Sequence, residues 1–422
     1  MIDQDSRFFS LNGDIPVGGP STWHITDWDQ RRVISVIMDG EQDDEGLAIE
    51  HLGRHIDHIT PSTYAIYVSP NGEIISKYSD AKHDQNYCVH YPFLHDVSVP
   101  DGIESIRRDK LEELERLGPD VDLVGYPPCA GTVAKKVVFK YYFLWHYAQR
   151  SWDEMNLWMR LPRHPNIVPF DRIVVDELQG RVVGFTNEYF PGGTLEERKG
   201  CIFQLKWLHQ LVQVVDDLNL RFSIAHQDID PRNLLLDEST DSVRLFDFNF
   251  AARINKSPMD GAQGYREARN DIKGVIFTVY EIITRDNSLR SVSHEEQRLW
   301  DLEKEWTKHP DVKLDHAVKD YQLALQEWQT RREAAPGAAA LREAPEAIDW
   351  PQRPKPPPKV ISAKDFQGNP TSFTVEGWYE NRQDIWSRGG QVLNWERPPQ
   401  SRVDKKTRLL VTGQAIDCSE LT

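Results

Sequence analysis

Paired cysteines, basic stretches and long hydrophobic runs are all missing from this chain of 422 residues. The four cysteines (Cys88, Cys129, Cys201, Cys418) are scattered and form no Cys-x-x-Cys, so they outline neither a disulfide framework nor a zinc site. Lys and Arg number 50 against 66 Asp and Glu, a net charge of −16. That excludes the basic stripe a nucleic-acid footprint needs. No apolar run approaches the roughly 18 residues that cross a bilayer. The first residues, Met1-Ile2-Asp3-Gln4-Asp5, are acidic where a secretion signal would be basic. A soluble cytoplasmic chain is expected, with the nucleus as the other compartment. An apolar fraction of 39% with 13 Trp is enough for a real core, and the length suits a bilobal domain with extensions.

Composition divides the chain into four regions. Residues 1–103 form an N-terminal extension with β character. Within it 32–38 and 64–68 read as strands, and Ser69-Pro70-Asn71-Gly72 as a hairpin turn into Glu73-Ile74-Ile75. Residues 104–331 carry the strongest periodicities. An apolar strand around 137–142 leads into a helix over 143–161, where Leu157, Trp158 and Leu161 share a face with Glu154 until Pro162 ends it. Residues 182–189 read as a buried strand broken by Pro191-Gly192-Gly193, 205–220 as an amphipathic helix, and 271–284, apolar almost all round, as a helix inside a lobe. Residues 332–359 are rich in Ala, Glu and Pro and end in Pro354-Lys355-Pro356-Pro357-Pro358, a stiff spacer rather than a ligand for a proline-binding module. The tail, 360–422, holds Trp378, Trp386 and Trp395 without a period and is expected to be partly ordered.

The densest information lies in 226–251. Asp228 is followed five residues later by Asn233, then by Leu234-Leu235-Leu236 and the polar turn Asp237-Glu238-Ser239-Thr240. Val243-Arg244-Leu245-Phe246 then closes a hairpin that would return Asp247-Phe248-Asn249 to the side of Asn233. One carboxylate to align a hydroxyl and two hard oxygen ligands for a metal are what phosphoryl transfer demands. Upstream, Lys140 ends the apolar strand Val137-Val138-Phe139, and Glu154 on the next helix is its natural partner.

These motifs resemble the catalytic loop, the metal-binding Asp-Phe-Gly and the Val-Ala-Ile-Lys strand of protein kinases. On them the chain is identified as a divergent member of the protein kinase-like superfamily, similar to kinase-like proteins of fungi, with the likeness covering about 106–331. The resemblance implies an α+β, bilobal protein kinase-like fold with a small β-rich N-lobe and a truncated helical C-lobe. It implies ATP and Mg²⁺ as cofactors. Lys140 and Glu154 would serve the phosphates, Asp228 would orient the acceptor and take its proton, and Asn233 and Asp247 would bind the metal. Asn187-Glu188-Tyr189-Phe190 resembles the hinge, whose Glu188 carbonyl and Phe190 N–H would receive adenine. Gly118, 22 residues before Lys140, is what remains of the phosphate-cradling loop, and Asp271 resembles the residue that braces the catalytic loop's backbone.

Departures from the pattern temper the likeness. Asp120 and Asp122 stand where glycines would let backbone amides reach phosphate, so either that loop turns away or nucleotide affinity is poor. Asp230 replaces the lysine of Ser/Thr kinases, with Arg232 placed to share its duty, and Asn249 replaces the last glycine of Asp-Phe-Gly. Only 24 residues separate Asp247 from Asp271, with no Ala-Pro-Glu between them. Gln227 replaces the arginine through which a phosphorylated activation loop exerts control. The leading expectation is therefore an ATP-dependent phosphotransferase with a Ser/Thr acceptor by resemblance. The alternatives are a pseudokinase scaffold and a small-molecule kinase, the latter suggested by the short activation segment. His51, His55 and His58 share one helical face, but Gly53 and the lack of a further ligand make an exposed polar face the better reading than zinc. Cys88, His90 and His95 are read in the same way.

Overall fold

The computed structural model describes residues 2–126, 135–257, 264–302, 305–334, 344–364, 367–404 and 407–416. The described residues build two large sheets, five two-stranded ones and a helical lobe. The first sheet holds Phe8–Asp14, Ser21–Asp27, Arg32–Met38, Ala65–Val68 and Ile74–Tyr78 in that order. Arg32–Met38 and Ala65–Val68 pair in parallel, and the helix Glu45–Gly53 makes the crossover between them. Ile25, Ile34, Val36, Leu52 and Ile66 close a core of their own. His51 is buried within this unit and His55 bonds the Gly72 carbonyl (2.7 Å), so the three histidines do not form the exposed face expected of them.

The second sheet is the β-rich lobe. Its order is Leu409–Leu410, Glu112–Gly118, Val121–Gly125, Lys136–Tyr141, Val182–Glu188, Phe170–Val175 and Glu104–Arg107. One outer strand comes from the tail, where Leu409–Leu410 pairs antiparallel with Glu112–Gly118; the other, Glu104–Arg107, runs parallel to Phe170–Val175. The core under this sheet joins Val137, Phe139 and Tyr141 to Trp28 from the first unit and Trp395 and Val411 from the tail. Residues expected to act as spacer and tail thus make tertiary contacts. Trp350 is buried, with its indole on Asp153 (2.8 Å), and Tyr379–Asn381 pairs with Tyr87–Val89.

The helix expected from 143 begins later, spanning Ala148–Trp158. Phe143 and Leu144 are instead drawn into the core, where the Phe143 ring meets Trp28 at 5.1 Å, so packing overrides the helical period there. The helical lobe is built on Leu205–Asp216, Asp271–Thr284 and Val318–Ala334. The first of these ends in a wide turn over Asp217–Arg221, four residues earlier than its apolar stripe suggests. The hairpin Leu234–Asp237/Ser242–Leu245, in the register Leu234↔Leu245, Leu236↔Val243, packs against the helix Leu205–Asp216 of this lobe.

Candidate active site

Strand alternation aims the lysine. Lys136–Tyr141 buries Val137, Phe139 and Tyr141 on one face and leaves Val138 and Lys140 on the other. Lys140 Nζ lies 2.5 Å from Glu154 Oε1 and 2.6 Å from Asp247 Oδ1. Burial opposes its charge, but the two carboxylates outweigh it and hold the ammonium above its ordinary pKa. Burial pushes the Glu154 carboxyl up to about 7. Asp247 is buried too, yet Lys140 beside it keeps it below the usual carboxylate value. The lysine therefore joins the helix of one lobe to the hairpin of the other.

Asp247 is fixed by its neighbour. The Phe248 ring is buried between Trp158 (5.1 Å) and His226 (4.9 Å), while Asp247 itself takes φ 66°, a left-handed conformation that Asp tolerates better than most residues. The backbone at the start of the loop 226–233 is held by Asp271. The Asp271 carboxylate accepts the N–H groups of His226 (2.8 Å) and Gln227 (2.7 Å) and the Asn219 amide (2.8 Å). His226 Nε2 bonds the Phe246 carbonyl at 3.0 Å. Asn233 Nδ2 donates to both the carbonyl (2.9 Å) and the carboxylate (2.8 Å) of Asp228, which leaves its amide oxygen for a cation. Lys140, Glu154 and Asp247 thus meet directly, and Asp228 and Asn233 meet directly on the adjoining loop.

The two loop aspartates part company. Asp122 sits in the strand Val121–Gly125, is fully buried, and pairs with Arg31 and Arg397, the latter at 2.9 Å. Asp120 sits in the turn before it at φ 54°, and its carboxylate joins Lys140, Glu154, Asp247 and Asn249 around a cleft of about 220 Å³. Arg150 stands 3.6 Å from it. Burial pushes the Asp120 carboxyl up to about 7, with Glu154 and Asp247 adding to the push and Arg150 and Lys140 opposing it. The cleft is lined by Pro119, Asp120 and Val121 and not by Gly118, which pairs with Val121 at the end of its strand.

At the expected hinge, Glu188 ends its strand opposite Val137, and the Phe190 ring lies under the Arg244 guanidinium (4.7 Å). The Asp230 carboxylate is buried and held by Arg232 (2.5 Å) and Arg290, while Arg232 also bridges to Asp228 (2.8 Å). Gln227 gathers both ends of the short activation segment. Its amide donates to the carbonyls of Phe250 (2.8 Å) and Gly264 (3.1 Å), and its oxygen accepts the Arg266 N–H (2.6 Å). Among the described residues no group of three or more His, Cys, Asp and Glu is arranged as a metal cage. The donor set fits a cation that takes few protein oxygens and the rest from phosphate, as Mg²⁺ does.

Arg150 was absent from the sequence-based site, although it lies four residues before Glu154 on one helix face. Arg31, Arg116 and Arg397 were absent as well. All three are buried: Arg116 bonds Asp29 (2.7 Å) and Glu113 (2.8 Å), and Arg397 bonds Glu113 (2.7 Å) and Asp122. No local pattern in the sequence points to them.

The family model for the protein kinase domain matches residues 129–269. CBL-interacting serine/threonine-protein kinase 2 of Arabidopsis thaliana is 32% identical over 108 residues, which are 24% of this chain and 23% of that protein. CBL-interacting serine/threonine-protein kinase 16 of the same plant is 34% identical over 112 residues, 25% of this chain and 23% of that protein. CBL-interacting protein kinase 12 of Oryza sativa subsp. japonica is 34% identical over 113 residues, 26% and 20% of the two chains. The chain thus spans about a quarter of the length of these relatives. No helix among the described residues is long and apolar enough to cross a membrane. The kinase-domain match takes in Lys140, Glu154, the hairpin and Asp247, and the region it covers, about a third of the chain, belongs to the protein kinase-like superfamily.

Proposed function

We propose that this chain is an ATP-dependent phosphotransferase that moves the γ-phosphoryl group of Mg-ATP to a hydroxyl. The observation that carries this reading is Lys140 held between Glu154 and Asp247, together with Asp228 held by Asn233 on the loop that leads into the hairpin to Asp247. Asp228 accepts the acceptor's hydroxyl proton as the oxygen bonds to the γ-phosphorus; the bond from that phosphorus to the bridging oxygen breaks, and ADP leaves with the electron pair. Lys140 grips the phosphates, Glu154 keeps Lys140 in place, and Glu188 and Phe190 offer the backbone groups for adenine. Asp247 and the amide oxygen of Asn233 would hold Mg²⁺, which would supply neutralisation of the triphosphate charge.

A Ser or Thr side chain is the acceptor that the names of the matching plant kinases carry. A small-molecule hydroxyl is favoured by the 24-residue interval from Asp247 to Asp271. A second reading, a pseudokinase that binds nucleotide or partners without turnover, is favoured by the Asp120 carboxylate in the phosphate cleft. Release of ADP from Mg-ATP, followed in wild type and Asp228→Asn, separates them. The transferase reading expects turnover that falls by about 10²-fold or more in the variant, the range for loss of a positioned base. Equal background rates in both proteins favour the pseudokinase.

A further inference from the structure

A second cavity, of about 300 Å³, opens beside Asp228, Asp230 and Arg232, on residues that line no part of the Lys140 cleft. That volume is at the low end for small-ligand sites. Its walls are the catalytic loop, the first turns of the helix Asp271–Thr284 and the segment 286–297. The charges in it are not evenly matched. On the catalytic-loop side Asp230 is held by Arg232 and Arg290, and Arg290 also takes Glu281 (2.5 Å), so those groups satisfy one another.

On the helix side, two cations have no carboxylate at ion-pair distance among the described residues. Arg269 lies over the Phe250 ring (4.6 Å) with its Nη1 buried and without a hydrogen-bond partner. Lys273 is buried, and its Nζ bonds only a neutral group, the His294 carbonyl, at 2.6 Å. An unpaired buried cation costs several kcal/mol unless something compensates it. A guanidinium and an ammonium in one small cavity are a fitting pair for phosphate or carboxylate oxygens.

We propose that this cavity is the acceptor site and that it takes a small hydroxyl compound bearing an anionic group, phosphate or carboxylate. The hydroxyl faces Asp228 and the anion rests on Arg269 and Lys273. The inference rests on the phosphotransferase reading for the hydroxyl, while the anion site stands on the cavity alone.

The test is stabilisation of the full chain against heat by inorganic phosphate and, in parallel, by glycerol 3-phosphate. The proteins compared are wild type, Arg269→Met, Lys273→Met and Lys140→Met, each first checked for an unliganded melting temperature. Saturable stabilisation of wild type and Lys140→Met, with apparent affinity at least tenfold weaker in Arg269→Met and Lys273→Met, is the expected result. Binding lost in Lys140→Met but kept in Arg269→Met places the anion in the nucleotide cleft and overturns the inference, as does no saturable binding to wild type. An acidic Ser-containing peptide that binds more tightly than glycerol 3-phosphate, through Arg269, overturns the small-molecule assignment. Mg-ATP is titrated into the same wild-type protein. Phosphate binding without an Mg-ATP shift would sink the phosphotransferase reading and leave the anion site standing.

Discussion

Asp120→Asn is the perturbation with the sharpest signature. The wild-type carboxyl is held up to about 7 against an ordinary 3.8, because burial beside Glu154 and Asp247 disfavours its charge more than Arg150 and Lys140 favour it. Between those two values the folded chain keeps a proton that the unfolded chain releases. Stability from this group is therefore greatest below about pH 4 and is lost as pH rises to about 7. At about 1.4 kcal/mol per pH unit, with the slope falling by half as pH reaches the folded value, the passage from pH 5 to pH 7 costs the wild type about 2 kcal/mol through this one side chain. The asparagine has no proton to lose and escapes that cost. Glu154, raised to about 7 as well, titrates in both proteins, so the difference between their pH profiles reports Asp120. Urea unfolding at intervals from pH 5 to pH 8 measures it. The variant is expected to gain on wild type steadily up to about pH 7, and to bind Mg-ATP more tightly at pH 8, where the native carboxylate repels the triphosphate. Parallel stability profiles would refute the placement of Asp120 in the cleft.

Two further outcomes follow from buried contacts. Arg397→Ala removes one of two arginine partners from Glu113 and one of two from the buried Asp122, and is expected to cost about 3–5 kcal/mol in urea unfolding. Lysine at this position should recover only part of that, because a point charge cannot make the guanidinium's separate bonds to Asp29, Glu113 and Asp122. Gln227→Ala frees the carbonyls of Phe250 and Gly264 and the Arg266 N–H. Amide exchange across 250–257 and 264–266 should rise while the helix Asp271–Thr284 stays protected, with a cost of about 1–3 kcal/mol. Unchanged exchange there would show that the segment is held by something other than Gln227.

What the sequence made legible was local or set by short spacing. The Asp228–Asn233 interval and the apolar arms 234–236 and 243–246 suffice to fold Asp247 back, because hairpin register follows from its own turn and alternation. Lys140 and Glu154 were readable for a similar reason: a strand exit and the first turns of the next helix leave little freedom. Asp271 was readable as a brace only through the resemblance to kinases, because an Asp in the first turn of a helix ordinarily serves the helix itself. The two loop aspartates could not be separated in advance. Alternation puts Asp120 and Asp122 on one face, but the left-handed turn at Asp120 takes it out of the strand, so only Asp122 joins the buried arginines. Those arginines arrive from residues 31 and 397, and no periodicity records a contact across hundreds of residues. The same holds for the strand Leu409–Leu410 and for Trp350, whose indole reaches Asp153.

The central claim is that Lys140, Asn233 and Asp247 form a working nucleotide site despite the carboxylate above them. Thermal unfolding against Mg-ATP, in wild type beside Asp247→Ala, tests it most directly. Nucleotide at about 100 times its dissociation constant stabilises by about 2.7 kcal/mol. The account predicts that shift in wild type, its dependence on Mg²⁺, and its loss in Asp247→Ala. No shift at millimolar Mg-ATP, or a shift of the same size in both proteins, would contradict it.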